Sequence, residues 1–409
     1  MGASSSLCQT DCGAVAHVSK YPKVIVLKGR EKRALAGHPW IYANEVQMDA
    51  NAKALEHGTL VKLQLEGGES LGLATFNPHS LICARRLRTD DMGEAWLREK
   101  IEAALALRTA FYDQPYYRLI HAEADGLPGL VVDRYGDVLS VQANTAGMDK
   151  LLPQVLPVLQ AVTGTKAVAL TRHGAAVALE GLTDQNEWAV GKVDGPITII
   201  ENEARYRVDV TGGQKTGWFY DQRENRNFIA ALCSGKTVFD GFCYAGGFGL
   251  LAAVRGAASV TLVDASVAAL ELARLGAQAN TVESRCSFVK GDVLLELEAT
   301  KLRGEKFDVV IVDPPAFIKS KKDVAAGLKG YRKLARLAAA VVVPGGWLAL
   351  GSCSHHAESA AWAAENARGI SEAGRQGRIV YSHGAGPDHP VHPHLPESAY
   401  LKFQVLKLD

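Results

Sequence analysis

From residue 23 to 90 the chain alternates short apolar runs, at 24–27, 59–63, 71–76 and 81–84, with glycine-containing or charged turns. Regular spacing of strands this short predicts a small β-barrel. Between 94 and 112 the period changes. Trp96, Ile101, Ala104, Leu105 and Leu107 recur at helical intervals, with Arg98, Glu99, Lys100 and Glu102 between them. That pattern predicts an amphipathic helix, placed as a connection over 91–114. Pro115 ends it. A second small α/β unit follows over 115–195, with strands at 130–133 and 138–141 and a helix from about 149 to 163.

Beyond 196 a hairpin, 197–200 with 206–210, leads into strands at 237–240, 259–264, 286–290, 307–313, 347–352, 378–382 and 399–408. Helical stretches separate most of them, such as 266–279, where Leu270, Leu272, Ala273 and Leu275 are apolar. Alternation of strand and helix predicts a doubly wound, mostly parallel sheet, so the fold class is α/β with two smaller units ahead of it.

Composition narrows the partners. At 409 residues the chain suits two or three domains, and 47% hydrophobic against 22% charged residues is enough to build cores, which excludes disorder as the dominant state. Lys and Arg number 45 against 44 Asp and Glu, a net charge of +1. Bulk charge therefore holds no nucleic acid, and such a partner would need a local patch. The most apolar run, 337–350, is broken by Pro344-Gly345-Gly346, and the N-terminus lacks a basic and apolar leader. No membrane span or export is expected. Seven cysteines, at 8, 12, 83, 233, 243, 286 and 353, form no disulfide framework, which fits a reducing cytoplasm. Cys8 and Cys12 with His17 lack a second ligand pair, so no metal is expected, and residues 1–22 read as a flexible segment.

In an open α/β sheet the ligand sits beyond the carboxyl ends of the strands. Here those ends read Asp240, Asp264, Asp292, Asp313 and Cys353. The first strand opens into Gly241-Phe242-Cys243-Tyr244-Ala245-Gly246-Gly247-Phe248-Gly249, whose glycines let backbone N–H groups approach a ligand. The turn has neither the dinucleotide G-x-G-x-x-G spacing nor a Walker A pattern. Asp264 is placed to accept both hydroxyls of a ribose, and Asp292 the amino group of adenine, although such residues also cap helices. Asp313-Pro314-Pro315-Ala316-Phe317 would present a carboxylate and carbonyls to a planar polar substrate beside an aromatic ring. Cys353, in Gly351-Ser352-Cys353-Ser354-His355-His356, is either a nucleophile or a buried filler. Cys233 and Cys286 read as packing residues. Near the N-terminus Lys28, Arg30, Lys32 and Arg33 precede His38 and Trp40. That cluster suits phosphate contact with base stacking, or equally a solvated charge run beside a core Trp.

The order of strand ends resembles the class I S-adenosylmethionine-dependent methyltransferases. More narrowly, residues 22–408 resemble the bacterial 23S rRNA cytosine-C5 methyltransferases that carry an N-terminal PUA domain. The resemblance rests on Lys28-Gly29-Arg30-Glu31-Lys32, His38-Pro39-Trp40, Glu123-Ala124-Asp125-Gly126-Leu127-Pro128-Gly129 and Asp133-Arg134-Tyr135-Gly136. It continues through Lys215-Thr216-Gly217-Trp218-Phe219-Tyr220-Asp221-Gln222-Arg223, the Tyr244 to Phe248 turn, Asp313-Pro314-Pro315, Ser352-Cys353-Ser354, Asp388-His389-Pro390-Val391 and Tyr400-Leu401-Lys402. Ala245 departs from it, standing where the family usually has Thr.

The resemblance implies an RNA-binding PUA barrel over 23–90, a central domain over 115–195 and a Rossmann-like methyltransferase domain over 196–409. It adds Arg223, Tyr244, Gly246 and Phe248 to Asp240, Asp264, Asp292 and Asp313 as residues expected to hold S-adenosylmethionine. The expected partner is 23S ribosomal RNA, and a homodimer is left open. Cytosine C5 is a poor nucleophile, so a thiolate must first add to C6; Cys353 is the expected nucleophile and Asp313 the group at N3. No base for the C5 proton stands out, and the Pro315-Ala316 loop offers no second cysteine. Two alternatives remain: an rRNA guanine-N7 methyltransferase, which needs no thiol, and a non-catalytic RNA-binding assembly factor.

Overall fold

The computed structural model describes residues 20–172, 174–212 and 217–409. Cys8, Cys12, His17 and the Lys215-Thr216 pair lie outside the described residues, as do residues 1–19 of the expected flexible segment. Between 23 and 86, five strands pair in the order Lys23–Val26, Thr59–Leu65, Ser70–Phe76, Ala84–Arg86, Trp40–Ile41. A bridge from Val26 to Val46 draws the two edges toward one another, as a small barrel requires. Val24, Val61, Leu63, Phe76 and Ala84 fill it. The strand expected at 81–84 begins only at Ala84. The Asn77 N–H donates to the Cys83 carbonyl at 2.8 Å and closes a loop that leaves Leu81 exposed.

The central sheet has the order Gln185–Val190, Ala167–Arg172, Val138–Ala143, Leu130–Tyr135, Tyr116–His121. Its one parallel pair, Val138–Ala143 with Ala167–Arg172, is joined through the helix Ala146–Thr163, which Thr145 caps by accepting from the Met148 N–H. The helix expected as a connection runs Glu94–Thr109, and it does more than connect. Leu97, Ile101 and Ala104 share one core with Leu119, Val132, Val141, Leu151 and Val155, so this helix and Ala146–Thr163 cover one face of the sheet. The other face is left for the residues described below.

The C-terminal sheet has seven strands, labelled here β1 (Thr237–Gly241), β2 (Ser259–Asp264), β3 (Cys286–Lys290), β4 (Phe307–Val312), β5 (Val342–Ser352), β6 (Gly377–His383) and β7 (Lys402–Leu408). Their order is β3-β2-β1-β4-β5-β7-β6, with β7 antiparallel to both neighbours and the rest parallel. Successive residues face opposite layers, as a pleated strand demands. Val238, Ala349 and Val405 pack with Leu250, Leu251 and Ala273, whereas Phe239, Leu348 and Leu406 pack with Leu297, Leu334 and Trp362. The hairpin Ile197–Glu201 with Ala204–Val208 covers the first layer through Ile199, Tyr206 and Val208. Among the described residues no helix is long and apolar enough to cross a membrane.

One guanidinium ties these parts together. Arg108 is fully buried and donates to both Asp125 oxygens at 2.6 and 2.8 Å, to the Arg118 carbonyl at 2.9 Å and to the Asp388 carbonyl at 3.0 Å. Those groups come from the central unit and from the 384–401 connection between β6 and β7. Arg108→Ala is expected to lower the unfolding free energy by about 3–5 kcal/mol, because it leaves a buried carboxylate uncompensated. Urea unfolding measures this, and an unchanged midpoint would refute it.

Candidate active site

The glycine turn after β1 is wound tightly, with positive φ at Phe242, Tyr244 and Gly246. Two carboxylates hold it. Asp240 lies beneath, 1% exposed, and accepts the Gly249 N–H at 2.7 Å. Burial pushes its carboxyl up to about 8 against that hydrogen bond. Asp264 lies at the rim, where one oxygen accepts the Tyr244 N–H at 2.9 Å and the other the Ser266 N–H at 2.8 Å. A carboxylate has about four acceptor positions. Asp264 therefore retains capacity for two hydroxyls.

Beyond the carboxyl ends of the strands lies a cavity of about 850 Å³. The turn lines it with Tyr244, Gly247 and Phe248, β2 with Asp264, and the segment after β3 with Gly291 and Asp292. The exits of β4 and β5 contribute Asp313, Pro314, Pro315, Ala316 and Cys353. The size and donor set fit a nucleoside cofactor with a second planar ring. The far wall belongs to the central sheet. His121 pairs with Val131 and Val131 with Gln142, so one row across three strands faces the cavity, joined by Arg118, Asn144 and His389.

Asp313 accepts from Gln222 Nε2 at 2.8 Å. A side chain at Gly351 would collide with the Asp313 carboxylate, so β5 can pass this close only as glycine. Cys353 is half-buried. Beside it the buried Lys402 ammonium donates to the Ser354 carbonyl at 2.9 Å and the Tyr400 carbonyl at 2.7 Å. Burial lowers the pKa of Lys402, and Cys353 acts in the opposite direction. Tyr331 braces the exit, with its hydroxyl 2.8 Å from both Ser352 Oγ and Ser354 Oγ. The other described cysteines differ: burial pushes Cys83 and Cys233 up to about 12, Cys286 up to about 11, and Cys243 well above the usual thiol range.

Of the residues expected to hold cofactor, Tyr244, Phe248, Asp264, Asp292 and Asp313 meet in this cavity, and Asp240, Gly246 and Arg223 do not line it. Asp240 supports the turn from below. Gly246 caps the helix Gly247–Val254, and its neighbour Gly247 reaches the wall. Arg223 is turned to the domain seam, 4.0 Å over the Tyr112 ring, donating to the Tyr116 carbonyl and to Glu201. Of the two arginines on this helix the one that lines the cavity is Arg226, three residues on, held by Glu201 at 2.5 Å and the Phe219 carbonyl at 2.6 Å. Asp292 uses Oδ1 to cap the helix Val293–Leu302, accepting from Leu294 and Leu295 at 2.9 and 3.1 Å. Phe317 is absent from the wall because its ring packs on Tyr331 at 4.8 Å. Gln222, Arg226, Lys402, Arg118, His121 and His389 were not assigned roles from sequence; Gln222, His389 and Lys402 stand in segments that carry the resemblance, and no signal marks the other three.

Of the N-terminal cluster, Lys28, Arg30 and Lys32 are exposed. Arg33 pairs with Glu45 at 2.9 Å and lies over the Tyr42 ring. Trp40 is committed elsewhere: its indole N–H donates to Glu123 at 2.7 Å, Arg85 covers its ring, and the His38 ring bonds its backbone.

A family model for S-adenosylmethionine-dependent methyltransferases matches residues 130–370, and one for PUA-like domains matches 24–89. The chain is similar to ribosomal RNA large subunit methyltransferase I of Pseudoalteromonas atlantica, at 33% identity over 393 residues covering 94% of this chain and 99% of that protein. The protein of the same name from Photobacterium profundum is 34% identical over 389 residues, covering 93% and 97%. Among solved structures, a candidate methyltransferase complexed with SAH superposes with a TM-score of 0.80 at 19% identity, covering 94% of this chain and all of that one. A second, from Streptococcus mutans, gives 0.78 at 19% with the same coverage. At that identity the likeness shows the fold.

Asp264→Ala is expected to weaken S-adenosylhomocysteine binding about 100-fold through lost charge-assisted hydrogen bonds, whereas Asp240→Asn, which keeps an acceptor for Gly249, changes it far less. Isothermal calorimetry on both variants checks the contrast, and equal losses would refute it.

Proposed function

Because the chain belongs to the S-adenosylmethionine-dependent methyltransferases, we propose that it methylates C5 of a cytosine in 23S ribosomal RNA through a transient bond between Cys353 and C6. The names of its relatives support ribosomal RNA of the large subunit as substrate. The observation that carries the carbon reading is Cys353 itself. It lines the same cavity as Asp313 and the two prolines, with a buried ammonium beside it. A nitrogen lone pair on guanine would need no such thiol.

Bound S-adenosylmethionine supplies an electrophilic methyl group. Around it, Asp264, Tyr244 and Phe248 hold the nucleoside portion, and Asp292 offers the acceptor capacity its helix cap leaves over. Lys402 stabilises the Cys353 thiolate, which is the nucleophilic form. Attack of sulfur on C6 pushes electron density onto the N3 side of the ring and makes C5 enamine-like. Asp313, oriented by Gln222, is placed to meet the pyrimidine at N3, where in its protonated form it donates its proton as that density builds and recovers it when the adduct breaks down. Pro314 and Pro315 fix the loop and remove two N–H donors, so the ring meets carbonyls and the carboxylate. Lys28, Arg30 and Lys32 on the barrel contact RNA phosphates, a positioning role without sequence readout.

Cys353→Ala is expected to abolish methyl transfer to ribosomal RNA while S-adenosylhomocysteine affinity stays unchanged. Tritiated-methyl incorporation and calorimetry read the two, and wild-type turnover by the variant would remove Cys353 from the mechanism. Replacing Lys28, Arg30 and Lys32 together by Ala is expected to weaken RNA binding for every sequence and to flatten the log–log salt dependence by about 2–3. A fluorescence titration over a range of salt concentrations measures that slope, and an unchanged slope would place the RNA elsewhere.

A further inference from the structure

We propose that His389 is the base that removes the C5 proton, an assignment that rests on the covalent cytosine reading above. His389 lies in the 384–401 connection, is buried and lines the cavity. Its Nδ1 is 2.8 Å from Asp388 Oδ1. With the Nδ1–H donated to that carboxylate, Nε2 carries the lone pair. Nε2 makes no hydrogen bond to any described residue. A base within a cavity, oriented by a carboxylate behind it, is the arrangement that general-base catalysis needs.

Asp388 is itself held rigidly. Its Oδ2 accepts the Arg118 N–H at 3.0 Å, and its carbonyl accepts from Arg108 at 3.0 Å. Burial opposes its ionisation, yet His389, Arg223 and the Arg118 N–H together keep its carboxyl below the usual range. Asp388 therefore stays an ionised, fixed acceptor behind the imidazole.

The second imidazole in the cavity cannot do this work. His121 lies 5.1 Å from His389, centroid to centroid, and its Nδ1 is 3.3 Å from Arg118 Nη1, an obligate donor. Its Nδ1 lone pair is thus occupied and its Nε2 carries hydrogen. His121 is a donor toward the substrate and His389 an acceptor. Both stand on the wall built by the central sheet and the 384–401 connection, whereas the cofactor residues stand on the turn after β1 and the end of β2. A base on the first wall leaves the methyl donor unobstructed.

The step balances without an additional reagent. After methylation C5 carries both the new methyl and its hydrogen, and C6 carries sulfur. Nε2 of His389 takes the proton from C5, the C5–H pair re-forms the C5–C6 double bond, and the C6–S bond breaks, with its electrons returning to Cys353 as thiolate. The imidazolium then releases its proton to solvent.

Blocking this step should strand the methylated adduct. His389→Asn keeps an amide nitrogen where Nδ1 bonds Asp388 but offers nothing at Nε2. We expect turnover on ordinary ribosomal RNA to fall about 10²–10⁴-fold, while an SDS-resistant protein–RNA complex carrying the transferred methyl accumulates. A merely structural role would lower adduct and product together. His389→Gln serves as a second variant should Asn fail to fold. Wild-type enzyme on a transcript with 5-fluorocytidine in place of cytidine tests the underlying reading, because a C5–F bond cannot be cleared by a base. Failure of wild type to form that adduct sinks the covalent mechanism. An adduct there, together with His389 variants that turn over normally or accumulate none on ordinary RNA, sinks the assignment of His389 alone. Accumulation by His355→Asn instead would transfer the role to His355.

Discussion

Charge buried at the seam between the central sheet and the strand ends is the constraint on which the cavity depends. An isolated ion moved out of water costs several kcal/mol, so each one at this seam is stable only while its partner is present. Arg108 meets Asp125, Arg118 meets Asp133 at 2.6 and 2.9 Å, and Glu201 holds Arg226 and Arg223 together. Two of these groups also bind carbonyls of the opposite unit: Arg108 at Asp388 and Arg223 at Tyr116. Sliding the central sheet away from the strand ends would strand these charges one after another. The sheet wall with His121, Val131 and Gln142 is thereby fixed opposite Cys353, and a substrate ring entering the cavity meets two preorganised surfaces.

The same reasoning separates what was legible in the sequence from what was not. β4 read correctly because a strand buried on both faces is a continuous apolar run, Val309-Val310-Ile311-Val312, and few other elements look so. The helix Glu94–Thr109 was visible by its period, but period reports only that one face is covered, not by what. It was read as a link and proved to be half of the central core. The run at 81–84 failed for the opposite reason. Its hydrophobicity is real, yet Leu81 lies exposed on a loop whose closing hydrogen bond, Asn77 to Cys83, leaves no periodic trace.

Within the site, the strand-end rule picked out Asp264, Asp292, Asp313 and Cys353, which line the cavity, together with Asp240, which does not, without distinguishing them. Asp240 and Asp264 both close parallel strands beside one turn. One lies under the backbone it supports and the other at the rim, a difference of depth that sequence spacing does not encode. Arg223 and Arg226 lie on one short helix, and which of them reaches the cavity is decided by Tyr112, Glu201 and Trp218, more than a hundred residues away in the first case. Trp40 beside a basic run read equally as a stacking ring or a core residue, and the partner of its N–H, Glu123, lies in another domain. Long-range partners of this kind leave no local trace, and Lys402 and His389, present in segments that carry the resemblance, received no role because they flank or occupy a connection with no regular period.

The sulfur of Cys353 shows how the fold distinguishes chemically identical groups. Burial first, with nearby carboxylates, pushes the other described thiols up, which disfavours their nucleophilic form. Lys402 is also buried, and a lone ammonium in that position would be as unfavourable as a lone thiolate. In the proposed mechanism a thiolate at Cys353 and this ammonium each offset the other's desolvation, and Cys353 does raise the Lys402 pKa against burial. In the proposed reaction, adduct formation turns the thiolate into a neutral thioether and leaves Lys402 without its counter-charge, bonded only to the Ser354 and Tyr400 carbonyls. Breaking the C6–S bond restores the pair. On that mechanism the ammonium that favours the thiolate also opposes its remaining attached, so attack and release are governed by one interaction instead of two.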